Sequence, residues 1–277
     1  MSSQQLVWLI TGTSSGLGRC LTLEALKRGD KLEDLKAQGA DTLELDVTAP
    51  PETLEEVAKK AIQIYGRIDV LVHNAGYGEL GPLEEKAPKD VYDQFNTHIF
   101  GPLNINRAFL PYMRERRAGT VVWVGSLGGW KSIPTIGLYC ATKHAIRGLS
   151  EALHTETSPF GLRSICIDAG FFRSNITEGV HHVSPEARID DYRKMVEAAT
   201  VKWEAMNHRQ PGDPEKFAGV IVDVVRGEGS AFGKPFPLSL PLGSDAYGTI
   251  KEVCENMTEQ LGEWKDVICS TDFPKDT

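Results

Sequence analysis

A tyrosine and a lysine four positions apart are the strongest candidates for chemistry in this sequence. Tyr139 and Lys143 stand in a stretch with helical patterning, where residues i and i+4 lie on one face. A phenol with a pKa of ~10 is a poor acid or base at neutral pH, but a neighbouring ammonium group favours the phenolate and lowers that pKa. The pair therefore predicts proton transfer by Tyr139, although a Y-x-x-x-K motif alone is weak evidence.

The elements that must position this pair alternate along the chain. Short, continuous apolar runs occupy residues 6–10, 43–47, 68–72, 120–124 and 163–167. Such runs are typical of parallel strands covered on both faces. Helical patterns lie between them, over 54–65, 88–117 and 139–158, with a possible irregularity at Gly101–Pro102. This predicts a Rossmann-like, doubly wound α/β fold in one domain, 1–277, with a helical insertion at about 171–210.

Bulk composition excludes several functional classes. The formal net charge of −8 argues against a nucleic-acid or anionic-membrane surface, which requires clustered Lys and Arg. The five cysteines are widely spaced and include no C-x-x-C pair, which argues against a disulfide framework and a zinc site. No stretch reaches the ~18 apolar residues of a membrane span. We therefore expect a cytoplasmic protein without a metal.

The turn after the first strand allows two interpretations. Glycines at a strand-to-helix turn let backbone N–H groups approach a pyrophosphate at the helix N-terminus. The same letters fit G-x-S-x-G, the nucleophile elbow of serine hydrolases, with Ser14 as nucleophile. That alternative needs upstream strands for an oxyanion loop, and one strand precedes Ser14. The candidate cofactor-binding residues of the turn are Gly12, Ser14, Ser15, Gly16, Leu17 and Gly18.

These motifs occur in the order found in the short-chain dehydrogenase/reductase family, which the sequence resembles over essentially its whole length. TGTSSGLG at 11–18 is similar to the family's T-G-x-x-x-G-x-G, and Asn74-Ala75-Gly76 to its N-A-G. Ser126 lies thirteen residues before Tyr139, the family's usual separation. The resemblance implies an oxidoreductase that moves a hydride between NAD(P)(H) and a small carbonyl compound or secondary alcohol.

The resemblance also implies roles for individual residues. Tyr139 exchanges the proton, Ser126 hydrogen-bonds the substrate oxygen, and Lys143 additionally holds the nicotinamide ribose. A cofactor-binding role is implied for Asn74, Ala75, Gly76, Gly170 and Ser174, for Asp46 near the adenine ring, and for Arg107 in the long helix. The family's usual association through long helices implies a homodimer or homotetramer. An apolar pocket is expected from Phe171, Phe172, Met195, Trp203 and Met206.

The sequence departs from the family pattern in two important places. His98 stands where the family has a catalytic asparagine, so it is either part of a proton relay or a core histidine. No strand pattern follows Gly29, so the sequence predicts that the family's second strand, with the residues that read the adenosine ribose, is missing. Arg19 and Arg28 favour NADP(H) over NAD(H) only weakly. A catalytically impaired protein that binds a ligand or partner is the alternative function.

Overall fold

Alternate residues of the first strand are buried on opposite faces of a parallel sheet. The computed structural model describes residues 5–32, 43–174 and 188–273. Trp8 and Ile10 belong to one apolar core, and Val7 and Leu9 belong to the other, because successive strand residues point to opposite faces. A strand with both faces buried needs the continuous apolar sequence seen here.

Six strands and nine helices are assigned in the described part of the chain. The strands are β1 (Val7–Ile10), β2 (Lys31–Leu32), β3 (Val70–His73), β4 (Gly119–Val124), β5 (Leu162–Ala169) and β6 (Ser239–Leu242). The helices are α1 (Gly16–Lys27), α2 (Pro51–Tyr65), α3 (Pro88–Phe95), α4 (Gly101–Arg116), α5 (Gly137–Thr157), α6 (Arg193–Met206), α7 (Pro214–Arg226), α8 (Ser244–Glu263) and α9 (Lys265–Cys269).

The sheet order is β2-β1-β3-β4-β5-β6, and every pair is parallel. One core lies between the sheet and helices α1 and α7, and the other lies under α2, α4 and α5. This arrangement confirms the Rossmann-like, doubly wound α/β fold. After β1 the chain forms β2 on one side of β1, and it then returns to form β3 on the other side of β1. Ligands of such sheets bind outside the carboxyl ends of the strands at this switch point.

The structure corrects the expectation that the second strand is absent. Lys31 and Leu32 form a two-residue strand that pairs with Val7 and Trp8. The sequence around these two residues is charged, so no apolar run marks the strand. The residues that would follow β2 toward the ribose fall in 33–42, outside the described residues.

The predicted strand at 43–47 is wrong. Residues 43–46 have no regular structure, and Val47 begins a turn. A parallel strand needs a neighbour to supply its hydrogen bonds, and in the described part of the chain no strand pairs with residues 43–46. The apolar residues Leu43 and Leu45 instead pack against the core under α2 and α4. Gly101 of α4 approaches so closely that a Cβ there would lie 2.2 Å from the Val47 carbonyl oxygen.

The predicted long helix over 88–117 is interrupted by a π-helix at Asn96–Phe100. Pro102 has no N–H to donate to the carbonyl of His98, so the regular i→i−4 pattern fails there. The Gly101 N–H donates instead to the carbonyl of Asn96, five residues back. The irregularity expected at Gly101–Pro102 therefore begins one turn earlier. Such widened turns often occur at functional sites, and this one carries His98.

None of the described helices has the length and apolar character of a membrane span.

Candidate active site

A cavity of about 370 Å³ opens at the carboxyl ends of β1, β3, β4 and β5. The predicted catalytic residues Ser126, Tyr139, Lys143 and His98 all line it. Ten of the other candidate cofactor-binding residues also line the cavity: Gly12, Ser14, Ser15, Gly16, Leu17, Asn74, Ala75, Gly76, Gly170 and Ser174. The fold thus brings together groups that are more than 150 residues apart in the sequence.

Ser126, Tyr139 and Lys143 converge where β4 meets α5. Ser126 follows the end of β4, and its hydroxyl oxygen accepts a hydrogen bond from the Gly128 N–H at 3.0 Å. Its hydroxyl also hydrogen-bonds Tyr139. Lys143 is buried one helical turn after Tyr139, with its Nζ 5.2 Å from the tyrosine ring centroid. Lys143 Nζ donates to the Val124 carbonyl at 2.8 Å, which leaves two of its three N–H donors for other groups.

The expected lowering of the tyrosine pKa is not what the structure shows. Burial raises the pKa of Tyr139 to about 12, although the Ser126 hydrogen bond opposes the rise. Burial also lowers the pKa of Lys143 to about 8, and the nearby Cys166 and Asp168 oppose that change. Removal from water is the largest cause of both shifts. Tyr139 is therefore a neutral phenol at physiological pH, in the protonation state of an acid.

The glycine-rich turn packs closely against neighbouring backbone. Gly12 has a φ of +70°, and a Cβ there would lie 2.8 Å from the Ala75 Cα. A Cβ at Gly18 would lie 2.3 Å from the Gly12 carbonyl oxygen. Ser15 precedes α1 without a side-chain cap, and the first turn of the helix carries no acidic residue. These features leave the N-terminal end of α1 open toward the cavity, with its partial positive charge unneutralised.

Asn74 joins the turn after β1 to the turn after β3. Its side-chain amide donates to the carbonyls of Thr11 and Gly12, at 2.9 and 3.0 Å. The backbone N–H groups of Asn74 and Ala75 both donate to the Thr11 hydroxyl at 3.0 Å. The N-A-G motif therefore supports the glycine-rich turn from below, which explains why both motifs occur together.

His98 is buried beside Tyr139. Its ring lies edge-on to the Tyr139 ring, with centroids 5.8 Å apart. Its Nε2 lies 3.1 Å from the Tyr77 N–H and 2.9 Å from the Tyr77 carbonyl oxygen, and the tautomer decides which contact is the hydrogen bond. In either tautomer Nδ1 has no hydrogen-bond partner among the described residues. Burial, followed by the Lys143 charge, lowers the pKa of His98 well below its ordinary value.

Comparison with known proteins agrees with this geometry. The family model that matches the sequence describes a short chain dehydrogenase and covers residues 6–184. The chain belongs to the short-chain dehydrogenase family. The relatives described below are oxidoreductases of this family, which supports the same general class for this chain.

Three members of the family are similar over most of the chain. A short-chain dehydrogenase from Streptomyces avermitilis, known from its crystal structure, is 35% identical with a TM-score of 0.84, covering 98% of this chain and 100% of its own. The 3-ketodihydrosphingosine reductase of Bacteroides thetaiotaomicron is 31% identical over 228 residues, 80% of this chain and 84% of that protein. Human 17-beta-hydroxysteroid dehydrogenase type 1 is 35% identical over 251 residues, 79% of this chain and 74% of that protein.

Three predicted cofactor-binding residues do not line the cavity. Gly18 is buried behind the turn, where it lets α1 pack on it. Asp46 is exposed and accepts hydrogen bonds from the Thr48 N–H and hydroxyl at 2.8 and 2.7 Å, so its carboxylate closes a local turn. Arg107 is exposed on α4 and hydrogen-bonds Asn104.

The two arginines that favoured NADP(H) differ in the structure. Arg28 pairs with Glu24, Asp223 and Glu228, so its charge already has partners away from the cavity. Arg19 is exposed on the first turn of α1. The case for a phosphorylated ribose therefore depends on Arg19 alone.

Sequence reasoning missed one polar residue of the cavity lining and one that contacts the lining from behind. Gln210 is 2% exposed and lines the cavity, and neither its amide oxygen nor its amide nitrogen has a partner among the described residues. Asp245, in the first turn of α8, accepts a hydrogen bond from the Phe171 N–H at 2.6 Å. Both arrive from the carboxyl-terminal third of the chain, and neither belongs to a recognisable motif.

The expected apolar wall is present in part. Phe171, Phe172 and Trp203 line the cavity, whereas Met195 and Met206 do not. Further apolar lining comes from residues that the sequence did not single out, namely Leu80, Ile133 and Ile136. Residues 175–187 of the predicted insertion lie outside the described residues.

Proposed function

We propose that this protein transfers a hydride between NAD(P)(H) and a carbonyl compound or secondary alcohol, with Tyr139 as the general acid and base. The observation that carries the proposal is the convergence of Ser126, Tyr139 and Lys143 in one cavity with the glycine-rich turn. Family membership supports the reaction class, and the catalytic roles are inferred from geometry. The hydrolase alternative loses its basis, because a single strand precedes Ser14 and the chain belongs to an oxidoreductase family.

The residues present fit a dinucleotide cofactor. The open N-terminus of α1 suits a pyrophosphate, since backbone N–H groups and the helix dipole both favour an anion there. Any side chain at Gly12 would collide with the Ala75 backbone, so the turn keeps a smooth surface for a ligand. Lys143, with two free donors, is suited to a ribose diol. The bound nicotinamide would supply the hydride chemistry.

The protein's own groups account for the proton. In the reductive direction the neutral Tyr139 phenol donates its proton to the substrate oxygen, and the high pKa keeps that proton in place until it is needed. The Ser126 hydroxyl accepts a hydrogen bond from the Gly128 N–H, which holds it beside Tyr139, where it can hydrogen-bond the same substrate oxygen. In the oxidative direction the phenolate must form first. At neutral pH Tyr139 is therefore in the protonation state that reduction of a carbonyl requires.

The cavity lining indicates the class of substrate. Phe171, Ile133 and Ile136 offer an apolar wall, whereas Gln210 offers one donor and one acceptor in a buried position. An unpaired buried amide is costly, so a ligand that satisfies it gains affinity. We infer a largely apolar carbonyl compound with a second polar group. The test follows the absorbance of NADPH and of NADH in the presence of cyclic, aromatic and long-chain ketones. Each ketone is compared with a relative that carries an additional hydroxyl group. No turnover with any ketone and no binding of either cofactor would favour the impaired alternative.

The pKa of Lys143 predicts the pH dependence of reduction. Below about pH 8 Lys143 is an ammonium group, and above that value it is increasingly neutral. We expect kcat/KM for ketone reduction to be level below pH 8 and then to fall by about tenfold per pH unit. In Lys143→Arg the charge persists at all these pH values. Its residual activity should therefore show no fall near pH 8, and an unchanged fall would contradict the assignment.

The histidine at the family's asparagine position can be tested by restoring the asparagine. We expect His98→Asn to keep or raise kcat, because asparagine also offers a donor and an acceptor beside Tyr139. The substitution also removes the unpartnered Nδ1 from the interior. Steady-state kinetics with saturating cofactor provide the measurement. A fall in kcat beyond about tenfold, with an unchanged melting temperature, would instead assign His98 a role of its own.

A further inference from the structure

A row of large apolar side chains runs along the surface of α8 and α9. The exposed fractions are 65% for Tyr247, 52% for Met257, 53% for Leu261, 54% for Trp264 and 48% for Ile268. All the residues from 254 to 273 are exposed. We call this row the C-terminal stripe; its positions are 247, 250, 254, 257, 261, 264 and 268, occupied by Tyr, Ile, Cys, Met, Leu, Trp and Ile.

The spacing of the C-terminal stripe alternates strictly between three and four residues. This is the heptad pattern of a helix that packs along another helix, in which apolar residues repeat every 3.5 positions on average. A helix that merely covers a globular core shows a broader, less regular face. The pattern spans three heptads: positions 247 to 261 lie on α8, Trp264 lies in the turn after it, and Ile268 lies on α9. The stripe therefore calls for a helical partner.

The rest of the described fold does not cover the C-terminal stripe. Within the described residues, α8 packs mainly at its N-terminal half, against β6 and the turn Leu127–Gly129. Ala246 and Ile250 are buried there, whereas the later stripe positions face solvent. An exposed apolar row of this length is unusual for a soluble surface and marks an interaction site.

The charges around the stripe favour a protein over a membrane. The positions that flank it hold Lys251, Thr258 and Lys265 on one side and Val253, Gln260 and Val267 on the other. The acidic residues all lie on the remaining face, at Glu252, Glu255, Glu259, Glu263 and Asp266. Helices that bind anionic lipid carry lysine and arginine on that polar face. The absence of carboxylates beside the stripe lets two chains of net charge −8 approach there without direct acidic repulsion.

We propose that the C-terminal stripe binds the same stripe of a second copy of this chain. When two such rows run antiparallel, the spacing of the exposed positions places position 254 opposite 264 and position 257 opposite 261. Every layer then contains two apolar side chains, as a two-fold interface requires. Among the other described helices, the exposed large apolar residues occur singly or as adjacent pairs, as at Val91–Tyr92 on α3. This surface is distinct from the long helices through which the family resemblance predicts association.

The test compares two substitutions on the same exposed helix. Leu261→Glu and Asn256→Glu each add one negative charge, but the first lies on the stripe and the second lies on the polar face. Light scattering after size exclusion, at about 50 µM protein, measures the mass of each assembly. We expect the wild-type chain and Asn256→Glu to share one oligomeric mass. We expect Leu261→Glu to have half that mass or less, with an unchanged circular dichroism spectrum and unchanged turnover per chain.

Three outcomes would overturn the proposal. One is a wild-type chain that is monomeric at this concentration. Another is a Leu261→Glu protein whose mass equals that of the wild type, which would assign association to the long helices. The third is flotation of the wild-type chain, but not of Leu261→Glu, with vesicles of phosphatidylcholine and phosphatidylglycerol. None of these readouts depends on catalysis, so the proposal stands or falls separately from the proposed function.

Discussion

Tyr139→Phe is expected to reduce kcat for ketone reduction by about 10²–10⁴-fold while cofactor binding persists. The substitution removes one oxygen atom, which is the proton donor of the proposed reaction. Ser126 and Lys143 keep their backbone partners, the Gly128 N–H and the Val124 carbonyl, so the cavity retains its shape. Steady-state kinetics and calorimetric titration with NADPH measure the two effects separately.

Tyr92→Phe is the matched control for this experiment. Tyr92 is 59% exposed on α3, and its ring contacts Phe100 at a centroid distance of 6.2 Å. Loss of its hydroxyl should leave kcat and cofactor affinity unchanged. If Tyr139→Phe retained turnover within about tenfold of the wild type, Tyr139 would not be the general acid.

Gly12→Ala is expected to weaken NADPH binding by about 100-fold or more. The left-handed backbone at Gly12 costs about 1–2 kcal/mol for an alanine. In addition, the new Cβ would lie 2.8 Å from the Ala75 Cα and 3.1 Å from the Asn74 amide nitrogen, so the two turns must separate. This separation disturbs the backbone groups that face the pyrophosphate, and each 1.4 kcal/mol lost is a factor of ten in affinity.

Gly29→Ala separates the contact from the backbone strain. Gly29 has a φ of +81°, and no heavy atom lies within 4 Å of a Cβ built there. Gly29→Ala should therefore lose an amount of stability in thermal unfolding similar to the backbone strain at Gly12. It should bind NADPH with the affinity of the wild type. Equal NADPH affinity for the two variants would show that the turn at Gly12 does not hold the cofactor.

The parts of the fold that sequence analysis predicted depend on local patterns. β1, β3, β4 and β5 are short, continuous apolar runs, which is the pattern typical of parallel strands buried on both faces. Ser126, Tyr139 and Lys143 were found because helical spacing and strand ends determine where they point. The NADP(H) preference and the oligomeric state remain predictions.

The errors came from properties that depend on distant parts of the chain. The run at 43–47 has a strand-like pattern, but a strand also needs hydrogen-bonding partners on a neighbouring strand, and none pairs with this run among the described residues. The pKa of Tyr139 depends on how tightly the surrounding elements enclose it, which the Lys143 spacing alone does not reveal. Gln210 and Asp245 reach the site only through tertiary folding.

The hydrogen bond from the Phe171 N–H to Asp245 makes the C-terminal helix a structural part of the cavity wall. A Cβ at Gly170 would lie 2.1 Å from the same carboxylate, so this contact leaves no free space. The helix that begins at the active site also presents the exposed apolar row at its far end. A shortened chain that stops before α8 would therefore lose a support of its active site together with its tail, and the tail is not an independent appendage.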